Sequence, residues 1–294
     1  MSTRQLTPAR ILSAVLLSSR PLSWINTAYP FAAAYLLVGG GLDARLAIGT
    51  LFFLIPYNIA MYGINDVFDY ESDLRNPRKG GVEGAVLAKP LHPWILGASA
   101  VTVIPFAAYL WAVGNLASGL WLVVSLFAVV AYSAKGLRFK ERPFLDSMTS
   151  SAHFVTPAIV GATLTGVALG WGFWAPMLAF FLWGMASQAL GAVQDMAADR
   201  EAGIGSIATV IGASRTAVAA TLLYAASAVL LLFRDDVGVL AAVIPLMYAF
   251  NAGRFIGLPD AECERARAAW QVFLRLNFFA GFLLTMLFLW MRVV

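Results

Sequence analysis

Long apolar runs, broken at intervals by glycine, proline or a few charges, dominate this chain from residue 22 to its end. A helix needs roughly 20 apolar residues to cross the hydrocarbon core of a bilayer. Nine stretches meet that length, at about residues 22–40, 46–65, 92–113, 116–134, 148–167, 172–193, 214–233, 236–257 and 271–291. The breaks between them carry turn formers: "GGGLD", "NPRKGGVEG", "VGN", "KGLRFKERP", "LGWG", "EAGIGS", "RDDVG" and "GLPDAE". The pattern predicts an all-α polytopic membrane protein with nine transmembrane helices. The first 21 residues or so read as a basic, amphipathic lead-in on the cytoplasmic side.

Charge sharpens this picture. Hydrophobic residues make up 60% of the chain and charged residues 12%, about half the share of a soluble domain. With the amino terminus and every second loop on the cytoplasmic side, 17 of the 20 basic residues collect there; only Arg45, Arg234 and Arg292 fall outside. Such a split is the positive-inside signature. It puts the amino terminus in the cytoplasm, the carboxyl terminus outside, and the protein in the cell membrane. Thirteen of the 16 acids also fall inside, all but Asp43, Asp235 and Asp236. A net charge of +4 spread over short loops is not a nucleic-acid signature, and the single cysteine, Cys263, excludes an internal disulfide.

Two acidic segments stand out on the cytoplasmic face. The second apolar stretch ends in "YGINDVFDYESD", where Asn65, Asp69 and Asp73 are spaced i, i+4, i+8 and form one stripe on a helix. The sixth ends in "QDMAADREAG", with Asp195 and Asp199 again i, i+4 and Gln194 beside them. Carboxylates at a membrane edge are costly, and like charges one turn apart repel. A hard cation compensates both: Mg²⁺ takes oxygen ligands and binds through one or two carboxylates plus the phosphates of a substrate. Glu71 faces away from the stripe and is expected to be solvated. The repetition hints at an internal duplication.

The basic loops suit the phosphates. Arg78 and Lys79 follow the first motif, and Lys135 and Arg138 follow the fourth stretch. Their side chains bind phosphate through charge-assisted hydrogen bonds.

Taken together, "NDVFDYESD" and "DMAAD" resemble the paired motifs N-D-x-x-D-x-x-x-D and D-x-x-x-D of the UbiA superfamily of intramembrane prenyltransferases. The resemblance covers essentially the whole chain. Within the superfamily "SSRPLSWINTAYPFAAAYLL", "FKERPFLDSMTSSAHFVTPAIVGATLTG" and the stretches around both motifs are most similar to the lycopene elongases of C50 carotenoid synthesis. "YSAKGLR" departs from the Y-P-x-x-K-R segment of quinone-forming relatives.

The resemblance implies one prenyltransferase domain over residues 1–294, its helices bundled around a central cavity. It implies Mg²⁺ as cofactor, held by Asn65, Asp69, Asp73, Asp195 and Asp199. Dimethylallyl diphosphate would be the donor and lycopene, arriving from the lipid membrane, the acceptor. Catalytic roles would fall to Asp66, Asp69, Asp195 and His153. The proton acceptor stays open between His153, Asp66 and the released diphosphate. Asn58, Tyr62, Tyr132, Phe154, Gln188 and Gln194 are expected at the substrate cavity. Tyr57, Tyr62, Phe68, Phe154 and Trp183 offer aromatic faces to an allylic cation. Two rivals remain: a relative that prenylates an aromatic or quinone precursor, and a transporter using the acids as a cation path. The acids cluster at one face, which disfavours a path. The D-x-x-D-G-x-x-A-R string of CDP-alcohol phosphotransferases is absent.

Overall fold

The computed structural model describes residues 6–74 and 86–293, and they are helical with no strand among them. In chain order the helices are α1 (Pro8–Ser18), α2 (Ile25–Leu37), α3 (Ala44–Leu54), α4 (Pro56–Phe68), α5 (Tyr70–Asp73), α6 (His92–Val113) and α7 (Leu116–Ser133). There follow α8 (Leu145–Leu164), α9 (Trp171–Val193), α10 (Met196–Ala202), α11 (Ile207–Ile211), α12 (Ala213–Leu232), α13 (Val243–Gly253) and α14 (Arg267–Val293). Starts are set by local chemistry. The Asp43 carboxylate accepts from the Leu46 amide at 3.0 Å, and capping boxes at Asn115/Ser118 and Ser206/Thr209 open α7 and α11.

All nine expected stretches fall on helices, but six are long and apolar enough to cross a membrane among the described residues: Ala44–Phe68, Lys89–Val113, Leu116–Ser133, Trp171–Val193, Ala213–Leu232 and Asp260–Arg292. The count of nine is not met by that measure, for three separate reasons. Helix α2 has only 13 residues, about 20 Å at 1.5 Å per residue. The helical segment Val237–Gly253 is apolar but short. Helix α8 has 20 residues, yet Asp146, Ser147, Thr149, Ser150, Ser151, His153 and Thr156 dilute its apolar surface.

The chain divides into two compact units, Met1–Arg138 with Thr156–Val167, and Phe139–Val155 with Ala168–Val294. The first is built on an aromatic core in which Phe31, Phe52, Phe53 and Tyr57 are fully buried. The Phe31–Phe53, Phe52–Phe53 and Phe53–Tyr57 centroids lie 5.2, 4.8 and 5.1 Å apart. Gly161 lets α8 press against α2, because a Cβ there would strike the Phe31 carbonyl.

Between α3 and α4 the second expected span is broken. Pro56 has no amide hydrogen to continue the ladder, and Ile55 before it sits at φ −117°, ψ −65°. Side chains take up the carbonyls at the break. Asn58 Nδ2 donates to Phe53 O at 2.8 Å and Leu54 O at 3.1 Å, and Thr27 Oγ1 donates to Phe53 O at 2.6 Å.

The second unit has its own aromatic centre. Tyr248 meets Trp183, Tyr224 and Phe273 at centroid distances of 5.3, 5.5 and 5.5 Å. Small residues bring α9 and α12 together, with Ser227 Oγ donating to Ala179 O at 2.8 Å. Gly184 on α9 leaves room for Ser151 on the first half of α8.

Candidate functional site

Each acidic segment spans a helix break. In the first unit α4 stops at Phe68, and Asp69 follows at φ −95°, ψ −3°, its amide still donating to Asn65 O at 2.9 Å. In the second unit α9 stops at Val193, and Asp195 precedes α10 at φ −97°, ψ −7°. The two aspartates share nearly one backbone conformation, in the sparsely populated bridge region where many active-site residues sit. In both, the next acid of the motif (Asp73, Asp199) lies on the short helix that follows. The stripe expected on one continuous helix is therefore two helical pieces with a break at the acid.

Around the first motif the structure supplies specific partners. Ser133 Oγ, at the end of α7, donates to Asn65 Oδ1 at 2.9 Å. Arg138 Nη2 lies 3.8 Å from Asp69 Oδ1, and its Nη1 donates to Phe68 O at 3.4 Å. Arg138 reaches this place because the loop after α7 turns sharply, with positive φ at Gly136 (92°) and at Arg138 itself (41°). Lys135 on the same loop is exposed. Asp69 is 7% exposed and Asp66 1%, and Asp66 Oδ1 pairs with Arg20 Nη2 at 3.1 Å. Glu71, read as solvated, is exposed and pairs with Lys89 at 2.6 Å. Arg78 and Lys79 lie outside the described residues, as does the side chain of Asp73.

The second motif is held by α10, which Met196 anchors at 0% exposure. Asp195 and Asp199 are half-buried, and the Asp199 amide donates to Asp195 O at 2.9 Å. Gly203, at φ 69°, ends the helix in the left-handed conformation that favours glycine. Arg200 points its charge elsewhere, to Asp260 at 2.9 Å and the Thr209 carbonyl at 3.0 Å.

The expected cavity residues have mixed placements. Asn58 is fully buried in the bracket at the α3–α4 break, two turns and about 10 Å along α4 from Asn65. Tyr62 lies beneath the Arg20 guanidinium, 4.4 Å from its ring centroid. Gln188 accepts from Ser150 Oγ at 3.0 Å, and Gln194 Nε2 donates to the Gly191 carbonyl at 3.2 Å. Tyr132 and Phe154 are half-buried, and His153 is 4% exposed. Of the aromatic candidates, Tyr57 and Trp183 sit in the cores of their units and Phe68 is exposed.

Sequence reasoning missed two members of the first site, Ser133 and Arg20. Ser133 carries no signal of its own in "AYSAKG". Arg20 was legible only as one more cytoplasmic cation.

Each motif by itself suits a hard cation. Asn65 and Asp69 in the first unit, and Asp195 and Asp199 in the second, offer oxygens alone, as Mg²⁺ requires, with neither the thiolates nor the imidazole clusters of a zinc site. No group of three or more acids, histidines or cysteines converges among the described residues. Mg²⁺ needs no such cage, since substrate phosphates and water complete its shell.

Comparison with known proteins gives the family and the fold. Residues 27–283 match the UbiA prenyltransferase family. The chain is 57% identical to a lycopene elongase/hydratase of Corynebacterium glutamicum over 93% of this chain and 95% of that protein. It is 55% identical to a C(50) beta-cyclic carotenoids biosynthesis protein of Dietzia sp., over 97% of this chain and 66% of the relative. In fold it is similar to a UbiA homolog from Archaeoglobus fulgidus bound to DMAPP and Mg²⁺, at a TM-score of 0.65 and 19% identity, over 91% of this chain and 98% of that one.

Proposed function

The chain belongs to the UbiA prenyltransferase family, and on that premise we propose that it transfers dimethylallyl groups from dimethylallyl diphosphate to the ends of lycopene. The reading takes the chain as one multi-pass domain with both acidic motifs on the cytoplasmic face of the cell membrane. Its support is the 57% identity to a lycopene elongase/hydratase across nearly the full length of both chains. The observation that carries the chemistry is the Asn65–Asp69 step at the end of α4, with Arg138 3.8 Å from the carboxylate.

In this reading Asn65, Asp69, Asp73, Asp195 and Asp199 hold Mg²⁺. When bound, the metal draws charge from the diphosphate and makes it a better leaving group. The chain's own groups do the rest. Arg138, on a loop turned by Gly136, presents a guanidinium beside Asp69, where phosphate oxygens are drawn by charge-assisted hydrogen bonds. Arg78 and Lys79, which follow the first motif in sequence, would add further positive charge. Apolar helices exclude the water that would quench an allylic cation. The terminal double bond of lycopene attacks that cation, and the new tertiary cation loses a proton or takes up water. An aromatic-acid acceptor would call for a buried cation to hold its carboxylate. Arg20, a cation drawn into the protein beside Tyr62, is instead paired with Asp66.

The test is turnover of purified protein in lipid with dimethylallyl diphosphate, Mg²⁺ and lycopene, read by product mass. Addition of one and then two five-carbon units is the expected result. Unchanged lycopene with prenylation of an aromatic acid would overturn the acceptor.

A further inference from the structure

We propose that Arg20 is a positioning residue, which neutralises Asp66 from the lead-in helix and so holds Asn65 and Asp69 in place as ligands. The inference rests on the reading that those two residues bind a divalent cation.

The arrangement starts from a close approach. Helix α1 buries Ala14, Val15 and Ser18. Ala14 and Val15 join Ile59 of α4 and Ile95 of α6 in one apolar cluster. At Gly63 the packing leaves no room for a side chain. A Cβ there would stand 2.8 Å from Ile95 Cγ2 and 3.6 Å from Ser18 Oγ. The end of α1 is thus drawn onto α4 two residues before the motif. Arg20 then leaves the helix at φ 51°, ψ 72°, a left-handed conformation rarely taken by residues with a side chain. Trp24 staples the turn, its Nε1 donating to both Ser19 O and Ser19 Oγ at 3.1 Å. The strained turn aims the guanidinium back at α4, over the Tyr62 ring at 4.4 Å and onto Asp66 Oδ1 at 3.1 Å.

The geometry of α4 explains why Asp66 needs this partner. At about 100° per residue, Tyr62 and Asp66 form one row and Asn65 and Asp69 the adjacent one. The Asp66 side chain is fully buried, and that of Arg20 is 20% exposed. Breaking a buried pair from one side leaves a stranded charge, whereas removing both partners together is often neutral. Without the guanidinium, Asp66 would also add negative charge beside Asn65 and compete for the cation. Guanidinium suits the place because it can lie over an aromatic ring and pair with a carboxylate at once.

The test compares wild type, Arg20→Met, Asp66→Asn and the double variant, with thermal unfolding as the readout. In metal-free, substrate-free protein each single variant is expected to lose on the order of 10 °C. The double variant is expected to return to within a few degrees of wild type. Titrated with Mg²⁺ and inorganic diphosphate, Arg20→Met should require at least about tenfold more Mg²⁺ for its stabilising shift, as for residues that orient metal ligands. The double variant should recover the wild-type requirement. Arg20→Lys, which keeps the charge, is expected to fold and to fall between them, and carries the titration if Arg20→Met does not fold. Additive losses in the double variant would show that the pair is uncoupled and overturn the proposal. A Mg²⁺ requirement unchanged in both Arg20 variants would overturn the positioning role. A loss of diphosphate affinity that Asp66→Asn does not reverse would assign Arg20 to the diphosphate directly and also overturn it. Since no arm uses lycopene, failure of the acceptor reading would leave each outcome legible.

Discussion

Ser133 Oγ donates to Asn65 Oδ1 at 2.9 Å across 68 residues of sequence. The bond ties the last residue of α7 to the first residue of the N-D-x-x-D-x-x-x-D motif and fixes which way the Asn65 amide turns. Partners of this kind usually matter to a metal as much as some ligands do, at a cost of about 10–100-fold in affinity when removed. Ser133→Ala is expected to raise the Mg²⁺ concentration for half-maximal prenyl transfer by that factor while leaving the metal-free melting temperature near wild type. Activity titrated against Mg²⁺ at saturating dimethylallyl diphosphate checks it.

Asp69 and Asp195 occupy matching breaks at the ends of α4 and α9. Stabilisation of a leaving group by a bound metal is worth several kcal/mol, and each 1.36 kcal/mol is about tenfold in rate. Asp69→Asn and Asp195→Asn are each expected to lower turnover by about 100-fold or more, and removal of Mg²⁺ with a chelator should do the same to the wild type. In metal-free protein the same substitutions relieve repulsion between acids one turn apart, so their melting temperatures should be unchanged or raised. Turnover unaffected in both would end the metal reading.

Asn58 closes the gap that Pro56 opens. Its side chain is fully buried and donates to Phe53 O, Leu54 O and Thr27 Oγ1. Asn58→Ala leaves those acceptors short of a donor, at a cost of about 1–3 kcal/mol. A lower melting temperature with little change in the Michaelis constant for either substrate is expected. A selective change in acceptor use, with stability unaltered, would return Asn58 to the substrate cavity.

Asp236 lies outside the apolar helices, hydrogen-bonded to Arg234 and accepting from the Gly238 amide at 2.9 Å. The bond from Arg234 is the chief cause holding its carboxyl below the usual 3.8. A carboxylate depressed in the folded state stabilises above its unfolded pKa and loses that contribution as pH falls through the lower folded value. Protection of the Gly238 amide from hydrogen exchange should therefore be flat from neutral pH down to about 4 and decline below it. In Asp236→Asn the acid-side decline should vanish.

How the chain reads by itself follows from what periodicity encodes. Apolar run length is local, so all nine expected stretches fall on helices, and the i, i+4 spacing brought Asn65 and Asp69 onto one row. Helix breaks were less visible. The run of residues 46–65 stays apolar through Ile55 and Pro56, and hydropathy does not register a missing amide hydrogen. For α2, α8 and the Val237–Gly253 segment, apolar windows ran past the helix ends or averaged over buried polar residues.

Composition, the apolar runs and the two acidic motifs were determined by the sequence alone, because each depends on residue type and near-neighbour spacing. Which cation meets which acid was decided by tertiary structure. Asp66 and Asp69 are three residues apart and alike in chemistry. Arg20 reaches Asp66 from 46 residues away, because α1 packs at a glycine on α4, while Arg138 approaches Asp69 from the turn after α7. The distances that separate their roles exist only once the helices are packed, since electrostatic energy follows separation in space rather than along the chain.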